Sequence, residues 1–267
     1  MSIPEVYAGI LAEERRAARK GAALSACVAV ACVAALWITG FFDFERLMEG
    51  GPAIAQLFDE MVPPDFSRWQ RWIRPLIDTL AMSVAGTAFA VVFSLPLALL
   101  AAPNTAPNSL VYQTARLLLS FLRSVPEIIM GVLFVAAVGF GALPGVLALG
   151  LHSVGMVGKF YAEAIEHVDP KPIEAARAAG CGSMTVILHA VLPQVLPQLA
   201  DITIYRWEYH FRASAVLGIV GAGGIGFELM ASLRLLAYDQ VSAILLAILA
   251  CVVLVDGLGS ILRKALK

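Results

Sequence analysis

Long apolar runs are the feature that most limits how this chain can fold. A membrane-spanning helix needs roughly 20 predominantly apolar residues. Six runs approach or exceed that length: 21–42, 76–102, 128–140 extended upstream to 117, 144–164, 186–220 and 241–262. The chain is 60% hydrophobic and 15% charged, whereas a soluble domain is about half apolar and about a quarter charged. The sequence therefore predicts an all-α, polytopic membrane protein with about six transmembrane helices.

Basic residues flank the first and last apolar runs. They are Arg15, Arg16, Arg19 and Lys20 before the first run, and Arg263, Lys264 and Lys267 after the last. Lys and Arg favour the cytoplasmic side, and six spans return the chain to its starting side. We therefore expect both termini and the segment 166–185 in the cytoplasm. Residues 43–75 then lie outside although they carry four arginines, and Trp69 and Trp72 predict that this segment lies at the lipid headgroups.

The sequence lacks the features of nucleic-acid-binding proteins, metal or disulfide proteins, and the common hydrolases. The net charge of −1 lacks the basic excess of a nucleic-acid-binding surface, so we expect no nucleic-acid partner. The four cysteines have neither zinc-site nor disulfide spacing, and they lie at Cys27, Cys32, Cys181 and Cys251. Neither a G-x-x-x-x-G-K-S/T phosphate-binding loop nor an H-E-x-x-H or G-x-S-x-G motif occurs. We therefore predict no catalytic residue, metal or cofactor in this chain.

The predicted cytoplasmic segment contains a short helix of small residues. Asp169 and Pro170 suit a helix start, because proline fits the first turn and an acid suits the N-terminal end of the helix dipole. Glu174, Ala175 and Ala176 follow, and Gly180 is expected to end or bend the helix. The pair Leu192-Pro193 is then expected to start the next membrane helix.

This segment resembles the EAA signature of ABC-importer permeases, in which a glycine and a Leu-Pro pair follow Glu-Ala-Ala at fixed spacing. The family pattern usually has isoleucine and aspartate where this chain has Ala190 and Ala179. The resemblance implies that the segment docks on an ATPase subunit and transmits its movement to the spans. The residues that it assigns to this coupling are Pro172, Glu174, Ala175, Ala176, Gly180, Leu192 and Pro193. The alternative is an alanine-rich connector without a partner.

The likeness extends over residues 75–262, where the stretches 121–141, 151–170, 192–230 and 233–246 look like the phosphonate-importer permease family. Its more specific parts are the Arg-Ser-Val-Pro-Glu and Tyr-Arg-Trp-Glu stretches. The resemblance implies a type I ABC importer permease domain over 76–267, preceded by a cytoplasmic tail, a first span and an external segment in 1–75. It implies import of phosphonate, phosphite, hypophosphite or phosphate across a bacterial inner membrane. It also implies a second permease copy, two ATP-binding subunits that hold ATP and Mg, and an extracytoplasmic substrate-binding protein.

Ionisable residues within the fifth apolar run are candidates for lining an anion passage, because such groups in a span face the protein interior or water. They are Arg206, Glu208, His210 and Arg212. The helical period makes Arg206 a neighbour of His210, and Glu208 a neighbour of Arg212, on two different faces. A packing role is the alternative, with Glu208 neutralising Arg212 and Arg206 pairing with Glu127 or Glu163. Further pathway candidates from the neighbouring stretches are Arg123, Ser124, Glu127, His152 and Lys159.

A glycine-rich run follows these residues and comprises Gly218, Gly221, Gly223, Gly224 and Gly226. So many glycines permit irregular backbone, which membrane proteins tolerate only where it is buried or lines water. We expect a turn at the outer mouth that helps to close the passage. The alternative is a seam where helices pack closely through small residues.

Three other functions remain open from the sequence. A methionine-type importer permease has a similar glycine-rich run. A membrane-embedded enzyme would use His167, His189 and Glu166, which make a poor site. A secondary transporter acting alone predicts inverted repeats, which are not visible in the sequence and would leave the EAA segment without a purpose.

Overall fold

The computed structural model describes residues 3–266, with side chains over 13–46 and 48–266. Residues 1, 2 and 267, parts of the two predicted cytoplasmic ends, lie outside the described residues. Over 3–266 the chain is helical and contains no strand, which confirms the all-α prediction. The helices are α1 Ile3–Ile38, α2 Phe44–Glu60, α3 Trp69–Ala101, α4 Ser109–Ser124, α5 Glu127–Val138, α6 Ala142–Glu166, α7 Pro170–Ala178, α8 Ser183–Val186, α9 Leu192–Leu217, α10 Ile225–Arg234 and α11 Tyr238–Ala265.

Among the described residues, five helical segments are long and apolar enough to cross a membrane. They are Glu13–Ile38, Trp69–Ala101, Ala142–Glu166, Ser183–Val220 and Tyr238–Ala265. A sixth span requires α4 and α5 to act as one, although they meet at an angle of 82°. The prediction of about six spans is confirmed, and the third, expected over 117–140, is broken within that range. Val125 is extended before Pro126, because the proline ring disfavours helical backbone in the residue before it.

The second span also begins earlier than the sequence suggested. α3 starts at Trp69 and runs through Pro75, whereas the apolar run begins at 76. Trp72, expected at the headgroups, is only 4% exposed and packs edge-on against Phe66, with ring centroids 6.3 Å apart. Just before this helix the carboxyl of Asp65 accepts 2.8 Å hydrogen bonds from the backbone N–H and hydroxyl of Ser67. These bonds lower the pKa of the carboxyl.

The chain divides into two compact units, and the first covers residues 3–59. It contains α1 and nearly all of α2. The apolar window of α1 buries none of its residues within the protein, so lipid is the solvent that its exposed valines and leucines require. The predicted boundary between residues 75 and 76, where the permease domain was expected to begin, stays a prediction.

The second unit, residues 60–266, is built around α6. This helix packs against α3, α4, α5 and α9, and small residues allow the close approach. A side chain added at Gly150 would collide with Phe89, and one added at Gly155 would lie 2.6 Å from the backbone oxygen of Leu119. α6 is therefore the element against which the polar residues of α9 and α4 are positioned.

Candidate functional site

The polar candidates of the fifth span lie on one continuous helix. Arg206, Glu208 and His210 are 7%, 6% and 0% exposed, whereas the Arg212 side chain is 44% exposed. Burying such groups is unfavourable unless they are hydrogen-bonded or paired. Their partners therefore show what each one does.

His210 connects two neighbouring helices to α9. Its Nδ1 lies 2.7 Å from the Thr87 hydroxyl of α3, and its Nε2 lies 2.6 Å from the Ser153 hydroxyl of α6. Arg206 Nε donates to the same Ser153 oxygen over 2.7 Å. Thr87 donates its proton to the Ser83 carbonyl, so it accepts from Nδ1.

One arrangement of protons satisfies this network with a neutral imidazole. In it, the Ser153 hydroxyl accepts from Arg206 and donates to Nε2. The assignment makes His210 a positioning residue, because it holds Ser153 in the orientation that accepts from Arg206.

The guanidinium of Arg206 is fixed on a second side as well. It lies over the Tyr209 ring, with the central carbon 4.2 Å from the ring centroid. The Tyr209 hydroxyl donates to Glu127 Oε1 over 2.7 Å. Arg206 Nη2 and Glu127 Oε2 are buried and have no hydrogen-bond partner among the described residues. The arrangement therefore holds a charged donor in place with bonding capacity to spare.

Two alternatives from the sequence are wrong in detail. Arg206 forms an ion pair with neither Glu127 nor Glu163 within the described part of the chain; Lys159 pairs with Glu163 over 3.4 Å. The neighbours Glu208 and Arg212 do not neutralise each other.

Instead, both residues reach α11. Glu208 pairs with Arg263 over 2.7 Å, and Arg212 Nη1 donates to both oxygens of Asp256 over 2.9 and 3.2 Å. The helical period brings the two within reach, but α11 supplies a closer partner for each.

The structure joins some of the predicted pathway residues and separates others. Arg206, His210 and, through Tyr209, Glu127 form one cluster. Ser124 donates to the Phe121 carbonyl over 2.7 Å, which is a bond within its own helix. Arg123 lies beside a different cavity, between α4 and α6. For Glu208, Arg212, Ser124 and Arg123, a place in the anion passage therefore stays a prediction.

Sequence reasoning missed Ser153, Thr87 and Tyr209. Tyr209 directly follows the Tyr-Arg-Trp-Glu stretch, which ends at Glu208, so the resemblance did not single it out. Ser153 and Thr87 are small polar residues in apolar runs, where most such residues bond to their own helix backbone. Nothing in their spacing marks a bond to a helix far along the chain.

The glycine-rich run forms a turn between α9 and α10. Gly221, Gly223 and Gly224 have φ of +98°, +76° and +70°, a conformation that residues with a side chain rarely adopt. Gly218 and Gly226 have a different role: a side chain at Gly218 would lie 2.7 Å from the Gly226 Cα. The run contains both the turn and the close packing, and its closing of a passage stays a prediction.

The segment with the EAA resemblance is helical where expected. Asp169 caps α7 by accepting from the Lys171 N–H over 3.0 Å, and Gly180 follows the helix with φ of +80°. The chain then runs through α8 and a π turn at Ile187–Val191 into α9, which starts at Leu192 with Pro193 in its first turn. Of the predicted coupling residues, Pro172, Glu174, Ala175 and Ala176 lie on α7, and their coupling role stays a prediction.

Known proteins resemble this chain over most of its length. Residues 94–267 match the family model of the binding-protein-dependent transport system inner membrane component. The phosphite transport system permease protein PtxC of Stutzerimonas stutzeri is 69% identical over 233 residues, which cover 87% of this chain and 85% of that protein. The phosphate-import permease protein PhnE of Mycolicibacterium smegmatis is 42% identical over 88% of this chain and 44% of its own length.

The fold also has a solved counterpart. A structure of the MetNI methionine ABC transporter in an inward-facing conformation superimposes with a TM-score of 0.67 and 22% identity, covering 76% of this chain and 99% of that one. At this identity the match shows the fold alone. The chain therefore belongs to the binding-protein-dependent transport system inner membrane component family and has the fold of a type I ABC importer permease.

Proposed function

We propose that this chain is the permease subunit of an ATP-driven importer of a small phosphorus oxyanion, with phosphite first among the candidates. The observation that carries the proposal is the Arg206 guanidinium, which is buried within a span, fixed by Ser153 and Tyr209, and left with an unpartnered Nη2. The relatives named for phosphite and phosphate transport support the same class of substrate.

The chemistry of Arg206 fits an oxyanion. Guanidinium stays charged, is more weakly hydrated than an ammonium, and matches the geometry of phosphoryl oxygens. A fixed cation at membrane depth lowers the barrier for an anion that must shed part of its water. Each charged hydrogen bond contributes about 1.5–3 kcal/mol, which corresponds to roughly 10- to 100-fold in rate.

Glu127 gives the same cluster a means of release. Its carboxylate lies beside the Arg206–Tyr209 stack through the Tyr209 hydroxyl. An anion that approaches Arg206 is therefore repelled by a nearby negative charge. Conduction requires binding that is favourable enough to enter and weak enough to leave, and a guanidinium with a neighbouring carboxylate meets both needs.

The family supports the assembly that we propose. A second copy of the chain completes the passage, and an extracytoplasmic binding protein delivers the anion and provides most of the selectivity. Two ATP-binding subunits hold ATP and Mg and dock on α7, so the chain itself is not an enzyme. The protein is a multi-pass component of the bacterial inner membrane, with both termini in the cytoplasm.

The test is uptake and ATP hydrolysis by the chain reconstituted in lipid with its ATP-binding subunit and binding protein. Phosphite, hypophosphite, a simple alkylphosphonate, phosphate and methionine are compared. We expect a phosphorus oxyanion to stimulate both activities, with phosphite strongest. Stimulation by methionine alone refutes the oxyanion assignment, and failure of any ATP-binding subunit to associate refutes the permease assignment.

Variants then test Arg206 itself. Arg206→Gln is expected to slow phosphite uptake at least about tenfold, while assembly of the complex is retained. Arg74→Gln is the matched control, because Arg74 is 84% exposed and pairs with Asp78 on its own helix. Equal loss of uptake and assembly in Arg206→Gln supports a packing role instead.

A further inference from the structure

A second cationic cavity lies between α4 and α6, separate from the Arg206 cluster. Its polar lining consists of Arg116, Ser120 and Arg123 from α4 and Lys159 from α6. Ala101 and Ala162 contribute to the apolar part of its wall. The Arg116 and Lys159 side chains are 44% and 42% exposed, and the cavity brings them together with Arg123.

Two glycines of α6 bring these cations together. A Cβ added at Gly155 would lie 2.6 Å from the Leu119 carbonyl oxygen and 2.7 Å from the Arg123 backbone nitrogen, and one at Gly158 would lie 2.6 Å from Leu119 Cδ2. The backbones of α4 and α6 therefore approach as closely as their atoms permit. Lys159 comes next along α6 and lines the same cavity as Arg123.

The charges at the cavity do not balance. Arg116 donates to the Ala101 carbonyl over 3.1 Å and pairs with Glu166, and Lys159 pairs with Glu163. Arg123 is half-buried, and none of the described residues forms an ion pair with it. The cluster therefore carries one surplus positive charge, together with unused donors on Arg116 and Lys159.

The cavity has room for a ligand. Its volume is about 70 Å³, and a single water needs only about 10–15 Å³ of such a volume. The surplus charge and the unused donors indicate an anion with several acceptor oxygens.

α6 connects this cavity to the Arg206 cluster. It supplies Ser153 to Arg206 and Lys159 to the cavity, and six helical residues correspond to about 9 Å along the axis. A passage in which the ion moves between neighbouring weak sites lets each site bind without trapping it.

The geometry points to a second oxyanion-binding site between α4 and α6, with Arg123 as its central ligand. The inference rests on the proposed function, and it assigns to the cavity the same class of ligand, a phosphorus oxyanion. Arg116, Lys159 and Ser120 complete the ligands. A lipid phosphate headgroup offers the same acceptor oxygens as a free oxyanion, so the test must separate these two sources of the ligand.

The test measures access to the cavity by cysteine labelling in the reconstituted complex. The four native cysteines are replaced by alanine, and Ser120→Cys is reacted with a neutral maleimide at fixed ionic strength, with and without sodium phosphite. We expect phosphite to slow the reaction in a saturable way. Arg123→Gln is expected to raise the phosphite concentration for half-protection at least about tenfold, whereas Arg123→Lys and the control Arg74→Gln retain most of the protection. Ser109→Cys, at the far end of α4, is expected to show no protection.

Several results would overturn the second site. They are failure of the maleimide to label Ser120→Cys, labelling that phosphite leaves unchanged, and protection that survives unchanged in Arg123→Gln. Protection by phosphatidylglycerol in the vesicles, with no further effect of phosphite, assigns the cavity to lipid and also overturns the proposal. Phosphite uptake by the same vesicles separates the two claims. Uptake without protection removes the second site alone, whereas absence of uptake for every phosphorus oxyanion refutes the proposed function.

Discussion

Gly155→Ala tests the contact on which the arrangement of α4 and α6 depends. The added Cβ would lie 2.6 Å from the Leu119 carbonyl oxygen and 2.7 Å from the Arg123 nitrogen, both backbone atoms. Backbone cannot rotate away as a side chain can. Restoring an ordinary contact of 3.4 Å therefore requires α4 to move away by about 0.8 Å.

The size of the effect follows from comparison with Gly257→Ala in α11, where nothing lies within 4 Å of the added atom. Both substitutions gain the same helix propensity, about 1 kcal/mol, so the difference between them isolates the collision. Overpacking of a filled interior costs about 1–3 kcal/mol. For a chain of this length that difference corresponds to roughly 2–10 °C in Tm.

The assay is the apparent Tm of the purified chain in detergent, measured for both variants and for Gly158→Ala. We expect Gly257→Ala to melt highest and Gly155→Ala lowest. Gly158→Ala should fall between them, because its added atom meets the flexible end of the Leu119 side chain. If Gly155→Ala and Gly257→Ala have the same apparent Tm, then the backbones of α4 and α6 are not in contact at Gly155. The cavity beside Arg123 then lacks its structural basis.

Two other predictions concern α9 and α7. Arg263→Gln should lower the unfolding free energy by about 3 kcal/mol, because it leaves Glu208, 6% exposed, without its cation. Glu208→Gln should lower it by less. Thermal melting of both single variants and the double variant measures the coupling energy between the two residues, and a coupling energy of zero would contradict the ion pair. Gly180→Val should reduce substrate-stimulated ATP hydrolysis without preventing membrane insertion, because φ of +80° disfavours a branched side chain. Gly182→Val is its control, since Gly182 has φ of −67° and open space around it; equal ATP hydrolysis in both variants would contradict a coupling role.

The spans were predictable because lipid imposes a length and a composition that hydropathy detects directly. The third span was predicted only in part, because an apolar count does not register a break in the local backbone. Val125-Pro126 breaks the helix, and Arg123 and Glu127 flank the break with charge. An apolar count bridged the break, although the proline and its charged neighbours marked it.

The candidate site was predictable only as far as one helix extends. Arg206 and His210 are neighbours because of the helical period, which depends on the sequence alone. Their common partner Ser153 lies 53 residues before Arg206, on another helix. Glu208 and Arg212 illustrate the converse: the period placed them together, but Arg263 and Asp256 on α11 bind them instead. Pairing between helices depends on how they rotate about their axes, and one sequence does not specify that rotation.

The two sets of contacts give α9 distinct mechanical roles. The ion pair of the buried Glu208 with Arg263 ties α9 to α11, since separating the two helices would leave a buried carboxylate without its cation. The start of α9 is continuous with the coupling segment through the π turn at Ile187–Val191. Fourteen residues of helix, about 21 Å, connect Leu192 to Arg206. Under the coupling role proposed for α7, its displacement would travel along α9 to the guanidinium, and the bonds to Ser153 and Tyr209 are those that it would have to stretch or break.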